Sequence, residues 1–212
     1  MARALSACSA MLLCCAPTSE PQTFPAGLQP LEELEVECPS ITAASPELAS
    51  GEAEDFAWTH GCWVFDATLD DVYLALQDTE VAVDQRSVDE WSREDNVEPE
   101  YEVSFALQNT VYDIITVEFE TTWRAGRLSE TDKDTPTTIG ARYQMTEAPN
   151  VITLLEGSVY AAALSSGGVE VQIIDHLDAL QGGTDITSLK VQDLFADIEA
   201  HIEGRPIPSH RD

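Results

Sequence analysis

The fold is decided by one stretch near the carboxyl end of the chain, residues 169–202, which reads VEVQIIDHLDALQGGTDITSLKVQDLFADIEAHI. Apolar residues first alternate with polar ones, and this period of two is typical of a strand with one buried face. After two glycines the period becomes helical, and Thr184 or Asp185 is expected to cap the helix. The apolar residues of its stripe are Ile186, Leu189, Leu194, Phe195, Ile198 and Ile202. Gly204 is expected to end it.

Upstream of this stretch the period of two recurs, which predicts at least five consecutive strands. The segments that carry it are residues 101–107, 111–123, 139–145, 151–164 and 169–177. A turn is predicted at Gln108 and Asn109, and the Ser-Ser-Gly-Gly sequence at residues 165–168 predicts a hairpin turn. Strands joined by such short turns form antiparallel sheets.

The front of the domain combines one strand with one helix. Order is expected to begin near Phe56, and the apolar run at residues 62–65 predicts a buried strand. Thr68 with Asp71 three residues later predicts a capped helix that ends near residue 77. A similar spacing at Ser87 and Glu90 predicts a short helical turn in an acidic connector.

This order of elements resembles the START-like, or Bet v 1-like, helix-grip superfamily, which includes polyketide cyclase/dehydrase-like proteins. The resemblance covers residues 56–204: the strand of residues 62–67 runs into a helix, and the strand of residues 169–177 leads to the long final helix. It implies an α+β fold in which a strongly curved antiparallel sheet of about six to seven strands grips the C-terminal helix. The connector at residues 84–100 is longer than the family pattern.

A curved sheet of this kind predicts a cavity. The sheet cannot bury its inner face alone, so the helix must lie across it, and the curvature leaves space between the two. Such a cavity is mainly apolar, with a few polar groups that orient a ligand. The residues expected near it are Trp123, Tyr143, Met145, Tyr160, Phe195 and Ile198. The alternative for each of them is that it simply fills the core.

Residues 1–15 have the layout of a short secretory signal, with one positive charge followed by an uncharged, mostly apolar run. The segment resembles a bacterial lipoprotein signal, in which the cysteine after the cleavage site carries the lipid. Cys14 and Cys15 lie at a suitable depth, whereas Cys8 has too little apolar sequence before it. The alternatives are an ordinary cleaved signal and a cytosolic protein. Residues 16–55, rich in proline, serine, alanine and glutamate, are interpreted as a tether, and residues 205–212 as a frayed tail.

Removal of the signal would leave Cys38 and Cys62 as an even pair of cysteines. In an oxidising envelope they could form a disulfide that is worth about 3 kcal/mol in the chain-entropy model. The alternative is two buried free thiols.

Charge limits the partners. The chain has 10 Lys and Arg against 39 Asp and Glu, for a net charge of −29, so it lacks the clustered cations that nucleic acids and anionic membrane surfaces need. The histidines are not spaced as metal ligands, so no metal site and no cofactor are expected. Asp175 and His176 are adjacent on a strand and must point to opposite faces. Glu156 is the strand carboxylate that looks least solvated, yet no catalytic residue is assigned.

These features favour a membrane-anchored lipoprotein of the cell envelope whose helix-grip domain binds a hydrophobic or amphipathic small molecule, or a lipid, without catalysis. A secreted form is the alternative address, and the N-terminal lipid is the only expected membrane contact. Two other functions stay open. One is an envelope interaction protein with a packed core, whose acidic face meets a basic protein partner. The other is a cyclase- or hydrolase-like enzyme of the same fold, which would need an inward residue such as Glu156 or His176.

Overall fold

A computed structural model of the protein describes residues 26–32, 36–128, 137–147 and 151–211, and every strand within them joins one antiparallel sheet. The strands are β1 (Glu47–Glu52), β2 (Ala57–Phe65), β3 (Glu90–Asp95), β4 (Val103–Tyr112), β5 (Thr116–Leu128), β6 (Thr138–Glu147), β7 (Ile152–Ala163) and β8 (Val169–Ala179). Their order across the sheet is β1-β2-β8-β7-β6-β5-β4-β3. β3 to β8 therefore form a meander, and β2 pairs with its last strand.

Two of the three α-helices in the described residues lie in the predicted places, and the short α2 was not predicted. α1 (Leu69–Ala75) follows β2, α2 (Thr79–Ala82) is a single turn, and α3 (Thr184–Ile202) follows β8. The capping box of α1 is confirmed, since the Asp71 amide donates to Thr68 Oγ1 at 3.2 Å and the Thr68 amide donates to Asp71 Oδ2 at 2.9 Å. The predicted cap of α3 is wrong. Gly183 caps this helix, because its carbonyl already accepts the amides of the first turn.

Two local predictions in the connector and the meander are also wrong. β4 continues through Gln108 and Asn109, and the chain turns only after Tyr112, because Asn109 bonds within the sheet instead of making a turn. The spacing at Ser87 and Glu90 does not start a helix. Glu90 begins β3, which adds to the sheet beyond β4 and so satisfies its backbone by strand pairing.

α3 lies across the concave face of the sheet, so the helix-grip fold is confirmed with eight strands. The helix packs tightly over Gly61 in β2, where a Cβ atom would lie 2.7 Å from the Phe195 ring and 2.8 Å from Val191. A larger residue there would require these side chains of the helix to move. The Phe195 ring lies 6.1 Å from Trp63 and 6.3 Å from Phe65, centroid to centroid, in the core beneath α3.

Residues 26–32, which we call the strap, lie over part of the convex face of the sheet. Leu28 is buried against Gly140 of β6, and the Leu31 amide donates to Ser158 Oγ of β7 at 3.2 Å. Glu32 then reaches the two strands beyond. Together with β1, the strap shows that the folded domain takes in part of the segment interpreted as a tether.

The cysteine pair and the tail both join the domain. Cys38 and Cys62 are bonded as a disulfide, with Cα atoms 5.0 Å apart, which fastens the segment after the strap to β2. The tail contacts α3, since His210 Nε2 lies 2.7 Å from Asp197 Oδ1. The predicted fraying is therefore wrong for its described part. Residues 1–15, including the lipidation candidates Cys14 and Cys15, lie outside the described residues.

Within the described ranges, no helix has the length and apolar character needed to cross a membrane.

Candidate ligand-binding cavity

A cavity of about 170 Å³ lies between the concave face of the sheet and the first half of α3. Its walls come from β4, β5, β6, β7 and β8, and α2 with the loop after it forms one side. Most of the lining is apolar, with Val88, Val111, Phe119, Trp123, Leu155 and Ile186 among its members. Ile186 is 41% exposed, so it marks the mouth. The described residues of the lining include no histidine or cysteine.

Lys190 and Tyr143 form a polar end to this apolar space. The Lys190 ammonium donates to Asp175 Oδ1 at 2.5 Å, and the Tyr143 hydroxyl donates to the same oxygen. The ammonium also lies 4.6 Å from the centre of the Tyr143 ring. Asp175 is fully buried behind the lining, while the Lys190 side chain is 18% exposed. Lys190 is therefore the charged group of this set that a ligand can meet.

Burial sets the protonation of this cluster. Desolvation raises the pKa of Asp175 above its ordinary value, although Lys190 and Tyr143 act in the opposite direction. Burial, followed by the nearby Asp175 charge, raises the pKa of Tyr143 well above its ordinary value. Tyr143 is thus a fixed hydrogen-bond donor at neutral pH. The cluster can hold the Lys190 ammonium in place and present its remaining protons to an acceptor.

Asn109 and Thr121 supply a second polar patch in the lining. The Asn109 amide nitrogen donates to the Leu107 carbonyl at 3.0 Å and to Thr121 Oγ1 at 3.3 Å. Both side chains are buried. Because the Asn109 nitrogen is already used within the protein, its side-chain oxygen is the group that could accept from a ligand.

The six residues predicted to lie near a cavity have different positions. Trp123 and Tyr143 line it, with ring centroids 4.6 Å apart. Met145 is partly buried and packs against the core. Phe195 and Ile198 are fully buried further along α3, where they fill the space under the helix. The placement of Tyr160 is wrong, because it pairs with Gly140 on the convex face.

Asp175 and Lys190 are the charged pair of the candidate site that the sequence analysis did not assign to the cavity. The sequence nevertheless contained a pattern that could have identified each of these two residues. Asp175 continues the inward positions of Val171 and Ile173 on β8, and Lys190 precedes the buried Val191 and lies one turn after Ile186 in α3. A charged residue at an inward position needs a partner, and here the two charges compensate each other.

Glu156 and His176 both lie on the convex face, away from the cavity. The predicted separation of Asp175 from His176 is confirmed. Asp175 contacts Lys190 at the cavity, whereas His176 Nδ1 lies 3.5 Å from Glu156 Oε1 on the opposite face of the sheet. The hydrogen bond with His176 lowers the pKa of Glu156, which is the opposite of what an inward, unpaired carboxylate would show. Neither residue can act on a molecule in the cavity.

Comparisons with known proteins give likenesses of structure alone. No family model matches the chain, and no curated protein matches it. Among solved structures, the di-domain ARO/CYC StfQ from the steffimycin biosynthetic pathway is 12% identical, with a TM-score of 0.47 over 71% of this chain. This chain spans 52% of StfQ.

Two smaller proteins are similar to the same degree. The lipid transfer and protein localization domain of human StarD13 (DLC2) is 13% identical, with a TM-score of 0.48 over 78% of this chain and 85% of that one. Ara h 8.0201 is 11% identical, with a TM-score of 0.44 over 75% of this chain and 100% of that one. The strand order and the position of α3 across the sheet define the class of this protein. The protein is a helix-grip protein with an apolar cavity that ends in a lysine.

Proposed function

We propose that this protein binds a small apolar or amphipathic molecule in the cavity under α3, with a hydrogen-bond acceptor or an anionic group of that molecule beside Lys190. The observation that carries the proposal is the position of the Lys190 ammonium at one end of a mainly apolar space, whose other polar lining residues are Asp84, Ser87, Asn109 and Thr121. An apolar wall supplies affinity, and one charged donor supplies orientation. The cavity also favours this proposal over an interaction protein, because an interaction protein was expected to have a fully packed core.

The volume limits the ligand. A space of about 170 Å³ is close to the roughly 150 Å³ cavity that admits benzene, and smaller than the roughly 300–1,000 Å³ of most ligand pockets. The ligand is therefore a single ring or a short chain with one polar group. A longer molecule would have to leave part of itself outside, past Ile186.

The same proposal includes a location, the cell envelope, with the protein held by a lipid on Cys14 or Cys15. The signal-like layout of residues 1–15 supports export, and the Cys38–Cys62 disulfide suits an oxidising compartment. Mass spectrometry of the mature N-terminus from the membrane fraction tests it. A diacylglycerol-modified cysteine is expected, and an intact Met1 in the soluble fraction would overturn this part.

Binding is tested by calorimetry with two matched pairs of probes, octanoate against 1-octanol and phenylacetate against 2-phenylethanol. We expect the carboxylates to bind more tightly than the alcohols, because only they pair with the Lys190 charge. In Lys190→Met this preference should disappear. Ala179→Leu, which adds bulk to the lining, should weaken all four probes, whereas Ala162→Leu on the convex face of β7 should weaken none.

The proposal fails if no probe binds the wild-type protein, or if Ala179→Leu binds as the wild type does. Native mass spectrometry of the protein purified from its own cells complements this test. It should reveal a co-purified small amphiphile that Ala179→Leu lacks.

A further inference from the structure

A second group of side chains gathers on the convex face, beneath the strap. Glu32 Oε1 lies 2.8 Å from His60 Nε2 of β2 and 3.1 Å from His176 Nε2 of β8. One ligand atom from each of the three residues lies within 4.8 Å of both others. The cluster is separate from the cavity, because its two histidines point away from α3.

Burial leaves one side of this cluster open. The side chains of His60 and His176 are 5% and 8% exposed, whereas that of Glu32 is 47% exposed. An ion could therefore arrive past Glu32 and meet two ring nitrogens that are fixed in the sheet. The other ring nitrogen of His60, Nδ1, is buried with no hydrogen-bond partner among the described residues. Among the described residues, the His60 ring therefore makes its side-chain hydrogen bond to Glu32, through Nε2.

Two of the three spacings are close to those around a tetrahedral ion, and the third, between the two histidine nitrogens, is at most 4.8 Å. Bonds of about 2.0–2.1 Å around Zn²⁺ place neighbouring ligand atoms about 3.3 Å apart. Glu32 Oε1 lies a few tenths of an ångström closer than that to each histidine nitrogen, so its exposed side chain needs to withdraw only slightly. Two imidazoles and one carboxylate are a known zinc ligand set, and they leave a fourth position for water.

Neighbouring residues hold both rings in place. His176 Nδ1 faces Glu156, which in turn lies 3.7 Å from the Arg142 guanidinium, an arrangement that orients metal-binding histidines in many proteins. The Phe56 ring lies 4.5 Å from the His176 ring, and the Trp58 ring 4.6 Å from the His60 ring. The net charge of −29 also favours a cation at this surface.

We propose that Glu32, His60 and His176 form a binding site for a divalent transition-metal ion, best matched by Zn²⁺, which fastens the strap to β2 and β8. The ion would link three parts of the chain that are far apart in sequence. It would act beside the Cys38–Cys62 disulfide, which holds the segment that follows the strap. This proposal does not depend on a ligand in the cavity.

The test uses the full chain with its disulfide intact, freed of metal by a chelator. Titration with Zn²⁺ followed by calorimetry should show one ion bound with a Kd in the micromolar range or below. Co²⁺ should give the visible absorption of a tetrahedral site. Zn²⁺ should also slow hydrogen exchange in residues 26–32, because the ion ties them to the sheet.

The variants assign the site. Glu32→Gln should weaken Zn²⁺ binding by at least about tenfold, and His176→Asn should weaken it further. His201→Asn is the matched control, since His201 pairs with Asp78 and takes no part in the cluster. It should bind as the wild type does. If His176→Asn fails to fold, the affinity of Glu32→Gln for Zn²⁺ tests the site by itself. This variant should fold, because the Glu32 side chain is about half exposed.

The proposal is overturned if the wild-type protein binds no Zn²⁺ at about 1 mM. It is equally overturned if Glu32→Gln binds Zn²⁺ with unchanged affinity, which would place the ion on other acidic groups of the surface.

Discussion

The buried carboxylate of Asp175 depends on its two donors, Lys190 and Tyr143. An ionised carboxylate in a low-dielectric core is costly unless a charge and hydrogen bonds compensate it. Both donors meet the same oxygen, while Asp175 Oδ2 is buried with no partner among the described residues. The arrangement therefore lowers the stability of the fold to some degree, and it holds Lys190 in a fixed position at the cavity.

We expect Lys190→Met to lower the free energy of unfolding by about 3 kcal/mol, because it leaves the Asp175 charge buried without its partner. The double variant Lys190→Met/Asp175→Asn should recover much of that loss, since it removes the charge as well. Urea denaturation at neutral pH measures both. A double variant that is less stable than the single one would show that the cost does not come from the unpaired carboxylate.

Asp197, in α3, carries a pH dependence of its own. It is 2% exposed, and burial, opposed by His210, raises its pKa from an ordinary 3.8 to about 6. A carboxyl group whose pKa is higher in the folded state stabilises the fold below pH 3.8. That contribution is lost as the pH rises through 6, because the folded state then holds an ionised group that it disfavours.

Asp197→Asn should therefore gain stability relative to the wild type as the pH rises from about 4 to 7, by on the order of 3 kcal/mol at most. Urea unfolding over a pH series measures the difference between the two proteins, which cancels the other acidic groups. Asp113→Asn, at an exposed turn, is the control and should show a flat difference. A flat difference for Asp197→Asn as well would contradict the raised pKa.

At the scale of elements, the strap depends on a small residue in the strand beneath it. A Cβ atom on Gly140 would lie 2.4 Å from the carbonyl oxygen of Leu28 and 2.9 Å from its Cβ atom. The Leu28 backbone cannot move aside as easily as the end of a flexible side chain can. Gly140 therefore lets residues 26–32 lie flat on the convex face, and Leu28 is buried there as a result.

We expect Gly140→Ala to displace the strap and to cost about 1–3 kcal/mol, because the added methyl overlaps with backbone. Hydrogen exchange followed by mass spectrometry should show faster exchange in residues 26–32 while β6 and β7 stay protected. Gly183→Ala is the control, since an added Cβ there meets nothing within 4 Å and the backbone is extended. Unchanged exchange of the strap in Gly140→Ala would contradict this account.

At the scale of the whole molecule, excess negative charge opposes compaction. The arginines of the described residues make several ion pairs, yet exposed pairs are worth at most about 1 kcal/mol each and salt weakens them. The repulsion from a net charge of −29 acts in the opposite direction, and salt screens it too. With 39 acidic residues against 10 basic ones, repulsion is the larger effect.

The melting temperature should therefore rise by a few degrees between about 10 mM and 0.5 M NaCl. Differential scanning calorimetry measures it, and KCl at equal ionic strength should give the same rise, because screening does not depend on the identity of the ion. A fall in melting temperature would mean that the ion pairs outweigh the repulsion.

The sequence by itself determined which residues share a face. A period of two gave the meander and the opposite faces of Asp175 and His176. A period of 3.6 gave the buried Leu194, Phe195 and Ile198 of α3, whereas Ile186 and Leu189 of the predicted stripe are exposed. These patterns are local, since the geometry of one strand or helix produces them. They gave the order of elements that resembles the helix-grip superfamily, and through that resemblance Trp123 and Tyr143 were expected near a cavity.

Only the tertiary structure decided which distant residues meet. Periodicity contains no information on strand order, register or curvature, and these set the distances between elements. For that reason the sequence did not show that Phe195 fills one half of the space under α3 while Lys190 faces the half that stays open. Nor did it show that Glu32, taken for part of a tether, contacts His60 and His176, the latter 144 residues further along the chain.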